Sequence, residues 1–194
     1  EMINIIAKYP NIMPYIHLPL QSGSNNILKL MGRRYTKEQY LELYNKLKEA
    51  LPYSSITTDI IVGFPGETEE DFKDTLEVVE TCKYDSAFTF IFSPREGTPA
   101  AKMKDDVSLE VKNERLQRLN ERVNHYSKKA NDSYLGKTVP VLIEGYSEKD
   151  KGMLMGYTDT MKLVNVKGSS EYIGKIVDVE ITDVKTWSMD GKIV

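Results

Sequence analysis

Ile56-Thr57-Thr58-Asp59-Ile60-Ile61-Val62-Gly63-Phe64-Pro65-Gly66-Glu67-Thr68 is the stretch from which the fold is read. Six of its first seven residues are β-branched, which suits a buried, pleated strand better than a helix. Gly63 to Gly66 then turn the chain. Thr68 stands as an N-cap before Glu69, Glu70 and Asp71, acidic residues in a first turn where the helix dipole favours anions. Phe72, Leu76 and Val79 recur on one face of that helix. Strand, tight turn and capped helix in direct succession make a βα unit.

The same grammar extends in both directions. Upstream, Pro14 to Leu20 is a short apolar run broken at Pro19, an unusual strand. Gln21-Ser22-Gly23-Ser24 turns, with Ser24 placed to cap a short helix carrying Ile27, Leu28, Leu30 and Met31. Thr36-Lys37-Glu38-Gln39 is a capping box. It opens a helix whose buried stripe is Tyr40, Leu43, Tyr44 and Leu47, and Pro52 stops it. Downstream, Ala87 to Phe92 is a third strand, and a long helix runs from Ser108 to about Ala130 with a seam of Leu116, Leu119, Val123, Tyr126 and Ala130. Alternating strands and helices over residues 1–130 predict a parallel α/β fold. Three strands are too few to close a barrel, and the chain begins with Glu1 in mid-pattern, so it reads as a fragment without its upstream strands.

Residues 131–194 read differently. Short apolar runs at 138–144, 152–157, 162–166, 175–184 and 187–189, punctuated by Gly145, Gly152, Gly168, Gly174 and Gly191, predict a small all-β barrel of the OB type. The domains are therefore expected at 1–130 and 131–194.

Composition narrows the function. The 194 residues are 40% apolar and 28% charged, globular rather than disordered. Lys plus Arg number 26 against 29 Asp plus Glu, net −3, so any nucleic-acid site is a local patch. The β unit itself has 8 Lys, no Arg and 10 Asp plus Glu. The one cysteine, Cys82, excludes a disulfide framework and any centre needing several thiolates from this chain, and it suits a cytoplasmic location. No apolar run reaches the roughly 18 residues of a membrane span, and the start is no signal peptide.

Several residues invite chemistry, each with a plainer alternative. Asp59, a rare residue type for a strand, either faces an active site at the strand's C-terminal end or accepts N–H groups of the following turn. The Gly63–Thr68 turn either approaches a cofactor or anion or is a simple βα turn, and Gln21–Ser24 carries the same two readings. Arg95 after the third strand is an anion or base contact, or a surface ion pair. His17 reads as a satisfied core residue or a base, Cys82 as structural and His125 as solvent-exposed. Arg115, Arg118 and Arg122, beside Lys112, read as a solvated helix face. Lys185, Trp187 and Tyr157 mix charge and aromatics as single-strand RNA readers do, or are a core Trp and scattered lysines.

Taken together, His17 to Ser24, Arg34-Tyr35-Thr36, Thr58 to Thr68, Phe92 to Ala101, and the tail strings Lys162 to Gly168 and Lys185 to Gly191 resemble the radical-SAM methylthiotransferases, most closely the MiaB-type tRNA enzymes with their C-terminal TRAM domain. The resemblance implies the C-terminal half of a partial TIM-type barrel followed by an OB-like TRAM barrel. It implies S-adenosylmethionine and two 4Fe–4S clusters in the whole enzyme, and methylthiolation of C2 of N6-isopentenyladenosine beside the tRNA anticodon. By position it places Gln21, Ser22 and Ser24 where the cofactor's ribose or methionyl part is met. Ile61 backs the adenine, with Gly63 beside it, and Asp59 and Arg95 meet substrate or cofactor. Lys162, Lys167, Lys185 and Trp187 are the expected RNA contacts. The family's Cys-x3-Cys-x2-Cys motif is not in this chain, so the chain alone is expected to be inactive and to have the missing N-terminal part as its partner. A ribosomal-protein aspartate is the alternative substrate, and a non-catalytic RNA-binding module the alternative role for the chain by itself. Open barrel strands further predict self-association.

Overall fold

A computed structural model describes residues 2–148 and 150–194. They fall into two compact units, one of residues Ile16–Asn124, the other of His125–Val194 with the residues up to Tyr15. The opening helix α1 (Met2–Lys8) buries none of its side chains.

In the first unit the β-branched run forms β2 (Ser55–Val62), the middle of a three-stranded sheet in the order β1 (Tyr15–His17), β2, β3 (Ser86–Ile91). β2 and β3 pair in parallel, with Asp59 opposite Phe88 and Ile61 opposite Phe90. The helices α2 (Asn25–Leu30), α3 (Lys37–Ala50) and α4 (Glu69–Cys82) start where their capping signals lie. Thr36 with Gln39 and Thr68 with Asp71 each close a reciprocal capping box. Leu20, Ile27, Ile56, Ile60, Phe72 and Val79 form the fully buried centre.

Two expectations about helix faces need correction. Leu43 is 40% exposed, so α3 buries Tyr40, Tyr44 and Leu47 without it. The long helix α5 (Leu109–Asp132) does not bury a purely apolar seam: among its buried residues are Lys112, Arg115, Ser127 and Asn131, beside Leu119 and Val123. The arginines at 115 and 118 are therefore not a solvated face. Arg115 is buried against Glu67, and Arg118 lies 4.9 Å over the Phe72 ring while pairing with Glu69 and Glu114.

Cys82 is buried, and burial pushes its thiol up to about 11. Its carbonyl accepts the Tyr44 hydroxyl, and the Tyr84 hydroxyl donates to that of Tyr40 at 3.0 Å. It is a packing residue, as its sequence neighbourhood implied.

The second unit contains a closed barrel in the order β4 (Thr138–Tyr146), β5 (Leu154–Thr158), β6 (Leu163–Lys167), β8 (Met189–Ile193), β7 (Ile176–Val184). All pairings are antiparallel except β6 with β8. Val141, Ile143, Leu154, Val164, Val179 and Ile181 fill it from alternate positions. At Gly156 a Cβ would stand 2.2 Å from the Leu142 carbonyl oxygen, so β5 crosses β4 closely only because that residue is glycine. The last strand is displaced from its expected place: residues 185–188 form the turn before it, and Trp187 is 69% exposed rather than a core residue. The Asn131 side-chain amide clamps this turn, donating to the carbonyls of Lys185 and Thr186 at 2.9 and 3.0 Å.

Candidate functional site

Parallel strands bring their C-terminal ends to one rim, where α/β folds place their ligands. Here the rim carries Gln21 after β1, the Gly63–Thr68 turn after β2 and the Phe92–Thr98 segment after β3. Between them lies a cavity of about 720 Å³. Its walls are largely apolar, from Leu30, Met31, Ile61, Phe64, Phe90 and Phe92, and its polar groups include Gln21, Asp59 and Arg95. This is the pattern of a small-molecule site, a greasy enclosure with a few convergent polar groups.

Each polar group is held by its backbone. Gln21 has φ 67°, left-handed for a residue that is not glycine. Its N–H donates to the Asp59 carbonyl at 2.8 Å, and its own carbonyl accepts from Ile61 N–H at 2.9 Å. These two bonds fix the unusual backbone of a residue that lines the cavity. Asp59 lies on β2 directly opposite Phe88, and its Oδ2 lies 3.2 Å from His17 Nε2. Arg95 is exposed at the mouth, with its carbonyl accepting the Thr98 hydroxyl at 2.7 Å.

Ser22, Ser24 and Gly63 do not line the cavity. Ser22 and Ser24 are buried. Gly23 N–H donates to Thr75 Oγ1 at 2.9 Å, and Ser24 caps α2 while donating to Asp71 Oδ1 at 2.5 Å. Burial pushes the Asp71 carboxyl up, but the hydrogen bonds from Ser24 and Thr68 outweigh it and hold it below the ordinary carboxylate value. These residues fasten the turn after β1 onto α4.

Gly63 has φ +69°, and a Cβ there would stand 2.3 Å from Lys112 Cγ. Its N–H donates to Glu67 Oε1 at 2.9 Å, and that same oxygen is 2.8 Å from Arg115 Nη1. Burial pushes the Glu67 carboxyl above its ordinary value, more than the Gly63 N–H and the Arg115 guanidinium draw it down. The Glu67–Arg115 pair, which the helical charge pattern hid, buckles the turn that carries Phe64 into the cavity wall.

The four residues expected to meet RNA separate into two groups. Because β6 and β8 run parallel with Val164 opposite Met189, Lys162 before β6 lies at the same barrel end as Lys185 and Trp187 before β8. Lys167 closes β6 at the other end. Lys162 is 8% exposed, which corrects its expected role as an RNA contact: a buried lysine does not meet a phosphate backbone. Lys185 pairs with Asp190 at 2.5 Å, and that hydrogen bond raises its ammonium above the ordinary value. Trp187 is open to solvent. The described residues hold no cluster of three or more His, Cys, Asp or Glu able to bind a metal, and no helix long and apolar enough to cross a membrane.

The aromatic row Phe88, Phe90, Phe92, along β3 and the residue just after it, is a further signal in the sequence for this site. Its spacing of two places it on the face that carries Asp59 and Ile61.

Comparison with known proteins adds independent findings. The Radical SAM superfamily matches residues 1–79 and the TRAM domain matches residues 132–194. The chain is 56% identical over all 194 residues to a tRNA-2-methylthio-N(6)-dimethylallyladenosine synthase of Staphylococcus epidermidis and 57% identical to that of Bacillus subtilis. It spans 38% of the length of each. Among solved structures, the radical SAM enzyme coproporphyrinogen III oxidase from Escherichia coli aligns with a TM-score of 0.50 at 26% identity, over 58% of this chain and 27% of that one.

Proposed function

We propose that the chain belongs to the radical-SAM methylthiotransferase family and that the longer protein it forms part of methylthiolates C2 of N6-isopentenyladenosine in tRNA, beside the anticodon. The convergence of Gln21, Asp59, Ile61 and Arg95 on one cavity carries this reading. The names of the relatives favour tRNA over a ribosomal-protein aspartate as substrate.

The cavity suits a nucleoside-sized ligand such as S-adenosylmethionine. Ile61, Phe64 and Phe92 offer flat apolar contact to a purine. Gln21 and Asp59 offer an amide and a carboxylate to the polar groups of ribose or amino acid. Arg95 at the mouth meets an anionic group or a base edge of the substrate. Ser22, Ser24 and Gly63 serve the same ligand by holding its turns in place. When bound, S-adenosylmethionine with an iron–sulfur cluster supplies the carbon radical of this chemistry. A cluster of that kind takes three or four thiolates. The one cysteine here, buried and with a raised thiol pKa, does not fit it, and the chain alone is accordingly inactive.

The barrel of residues 131–194 serves as the RNA-binding domain, and residues 1–130 as the catalytic part. Lys185 and Trp187 contact the anticodon stem-loop from one barrel end, Lys162, buried at that end, supports it without reaching the RNA, and Lys167 reaches a separate part of the RNA. The substrate places the protein in the cytoplasm.

Nucleoside mass spectrometry of bulk tRNA from a strain lacking the full gene tests the reading. Loss of 2-methylthio-N6-isopentenyladenosine with accumulation of the unthiolated nucleoside is the expected result. An unchanged profile rejects it and moves the ribosomal-protein substrate to first place.

A further inference from the structure

We propose that His17 is a positioning residue: its imidazole, pinned by Thr57, holds the Asp59 carboxylate at the cavity as an acceptor for an N–H or cationic group of the bound ligand. The inference rests on the reading of the cavity given above.

Register brings the groups together. Leu18 N–H donates to the Thr57 carbonyl at 2.8 Å, which sets the end of β1 against the middle of β2. Thr57 and Asp59, two residues apart on a strand, present their side chains on one face. His17 spans both, with Nδ1 3.0 Å from Thr57 Oγ1 and Nε2 3.2 Å from Asp59 Oδ2. Phe88, at the register place beside Asp59, packs edge-on to the His17 ring with centroids 6.2 Å apart.

The chemistry assigns the protons. An ionised carboxylate only accepts, so Nε2 carries the hydrogen that faces Asp59. In the neutral ring Nδ1 then accepts from the Thr57 hydroxyl. Both nitrogens are engaged and one ring edge is packed, so the imidazole has no rotation left that keeps its bonds. Thr57, the anchor, is only 4% exposed. Asp59 is 29% exposed at its side chain and lines the cavity, so its own rotamer would otherwise be free to swing. One oxygen committed to His17 fixes the plane of the carboxylate that the ligand meets.

The test uses the full-length protein with reconstituted clusters, and the variants His17→Ala, His17→Gln, Asp59→Asn and the double His17→Ala/Asp59→Asn. Steady-state methylthiolation of tRNA gives kcat and KM, thermal unfolding checks the fold, and calorimetry gives the Kd for S-adenosylhomocysteine. His17→Ala is expected to lower kcat about 10- to 100-fold, the cost of a misplaced group, with KM for tRNA unchanged. His17→Gln, which restores an N–H near the Nε2 place, recovers most of the loss. Adding His17→Ala to Asp59→Asn costs nothing further, because His17 acts through Asp59. Wild-type kcat in His17→Ala, no recovery by a folded His17→Gln, or additive losses in the double variant overturn the proposal. Should the wild-type protein thiolate no tRNA, the functional reading fails instead, and the same pattern of loss, rescue and non-additivity in the S-adenosylhomocysteine Kd decides the role of His17.

Discussion

Replacing Arg115 by methionine should expose how the turn that shapes the cavity is held. Arg115 and Glu67 are 5% and 1% exposed at their side chains, with Nη1 2.8 Å from Oε1 and 3.1 Å from the Glu67 carbonyl. Methionine fills much of the same space but leaves the carboxylate with the Gly63 N–H as its main support. Breaking one side of a buried pair costs about 3–5 kcal/mol, because the remaining charge stays buried. The loss should depend on pH. Burial already raises the Glu67 carboxyl above its ordinary 4.5 in the folded chain, and removing the guanidinium raises it further. A carboxyl raised by folding contributes stability that is complete below its unfolded value and lost as pH rises through the folded one. The deficit of the variant therefore grows from acid toward neutral pH, by at most about 1.4 kcal/mol per pH unit. Urea unfolding of wild type and Arg115→Met between about pH 5 and pH 8 measures it. The double variant Glu67→Gln/Arg115→Met should lose the slope and recover part of the stability. A deficit under about 1 kcal/mol at neutral pH, or one that is flat with pH, refutes the reasoning.

Gly63→Ala should cost about 1–3 kcal/mol in urea unfolding, since φ +69° is strained for alanine and its methyl meets Lys112; an unchanged midpoint would show that the turn yields freely. Asp71 works in the opposite direction to Glu67. Its lowered carboxyl gives stability present above the ordinary value of 3.8 and lost as pH falls through the lower folded value, so Asp71→Asn should flatten the acid limb of the stability–pH curve. Trp187 is the one tryptophan and is 69% exposed. Trp187→Ala should leave stability within about 0.5 kcal/mol yet weaken tRNA binding by about 1–3 kcal/mol if a base stacks there, and native fluorescence unmoved by saturating tRNA would contradict the assignment. The isolated chain should self-associate, because β3 is the last strand of its sheet and leaves Phe88 and Phe90 58% and 50% exposed; a monomeric mass by light scattering across concentrations would rule that out.

Features that depend on neighbours in the chain were legible. The β-branched run at 56–62 and the caps at Ser24, Thr36 and Thr68 need only residues within a few places of each other, and all appear where their spacing put them. The failures share one cause: the deciding partner is distant in sequence. On α5 the apolar count favoured Leu116, Tyr126 and Ala130, but Glu67, buried 48 residues away, draws Arg115 inward. Residues 187–189 are expected as a strand, with Trp187 either an RNA contact or a core residue, and the strand begins only at Met189. The Asn131 clamp on Lys185 and Thr186 makes the neighbourhood of Trp187 a turn instead.

The site shows the same division within single motifs. In Gln21-Ser22-Gly23-Ser24 one residue faces the cavity while the next three bind the turn to Thr75 and Asp71. In the stretch from Asp59 to Glu67, Asp59, Ile61 and Phe64 face it, and Gly63 and Glu67 tie the turn to Arg115. A contiguous string therefore mixes groups aimed at a ligand with groups that hold the aim, and both are equally demanding of residue type. The structure separates them by where their hydrogen bonds are spent. Ser24 and Glu67 spend theirs inside the fold, so their loss should appear first as lost stability. Gln21 and Arg95 line the cavity and have backbones fixed by others, so their loss should spare the fold and fall on ligand binding. His17 stands between the two classes, because it is bonded to Thr57 within the fold and also to Asp59, a carboxylate that lines the cavity.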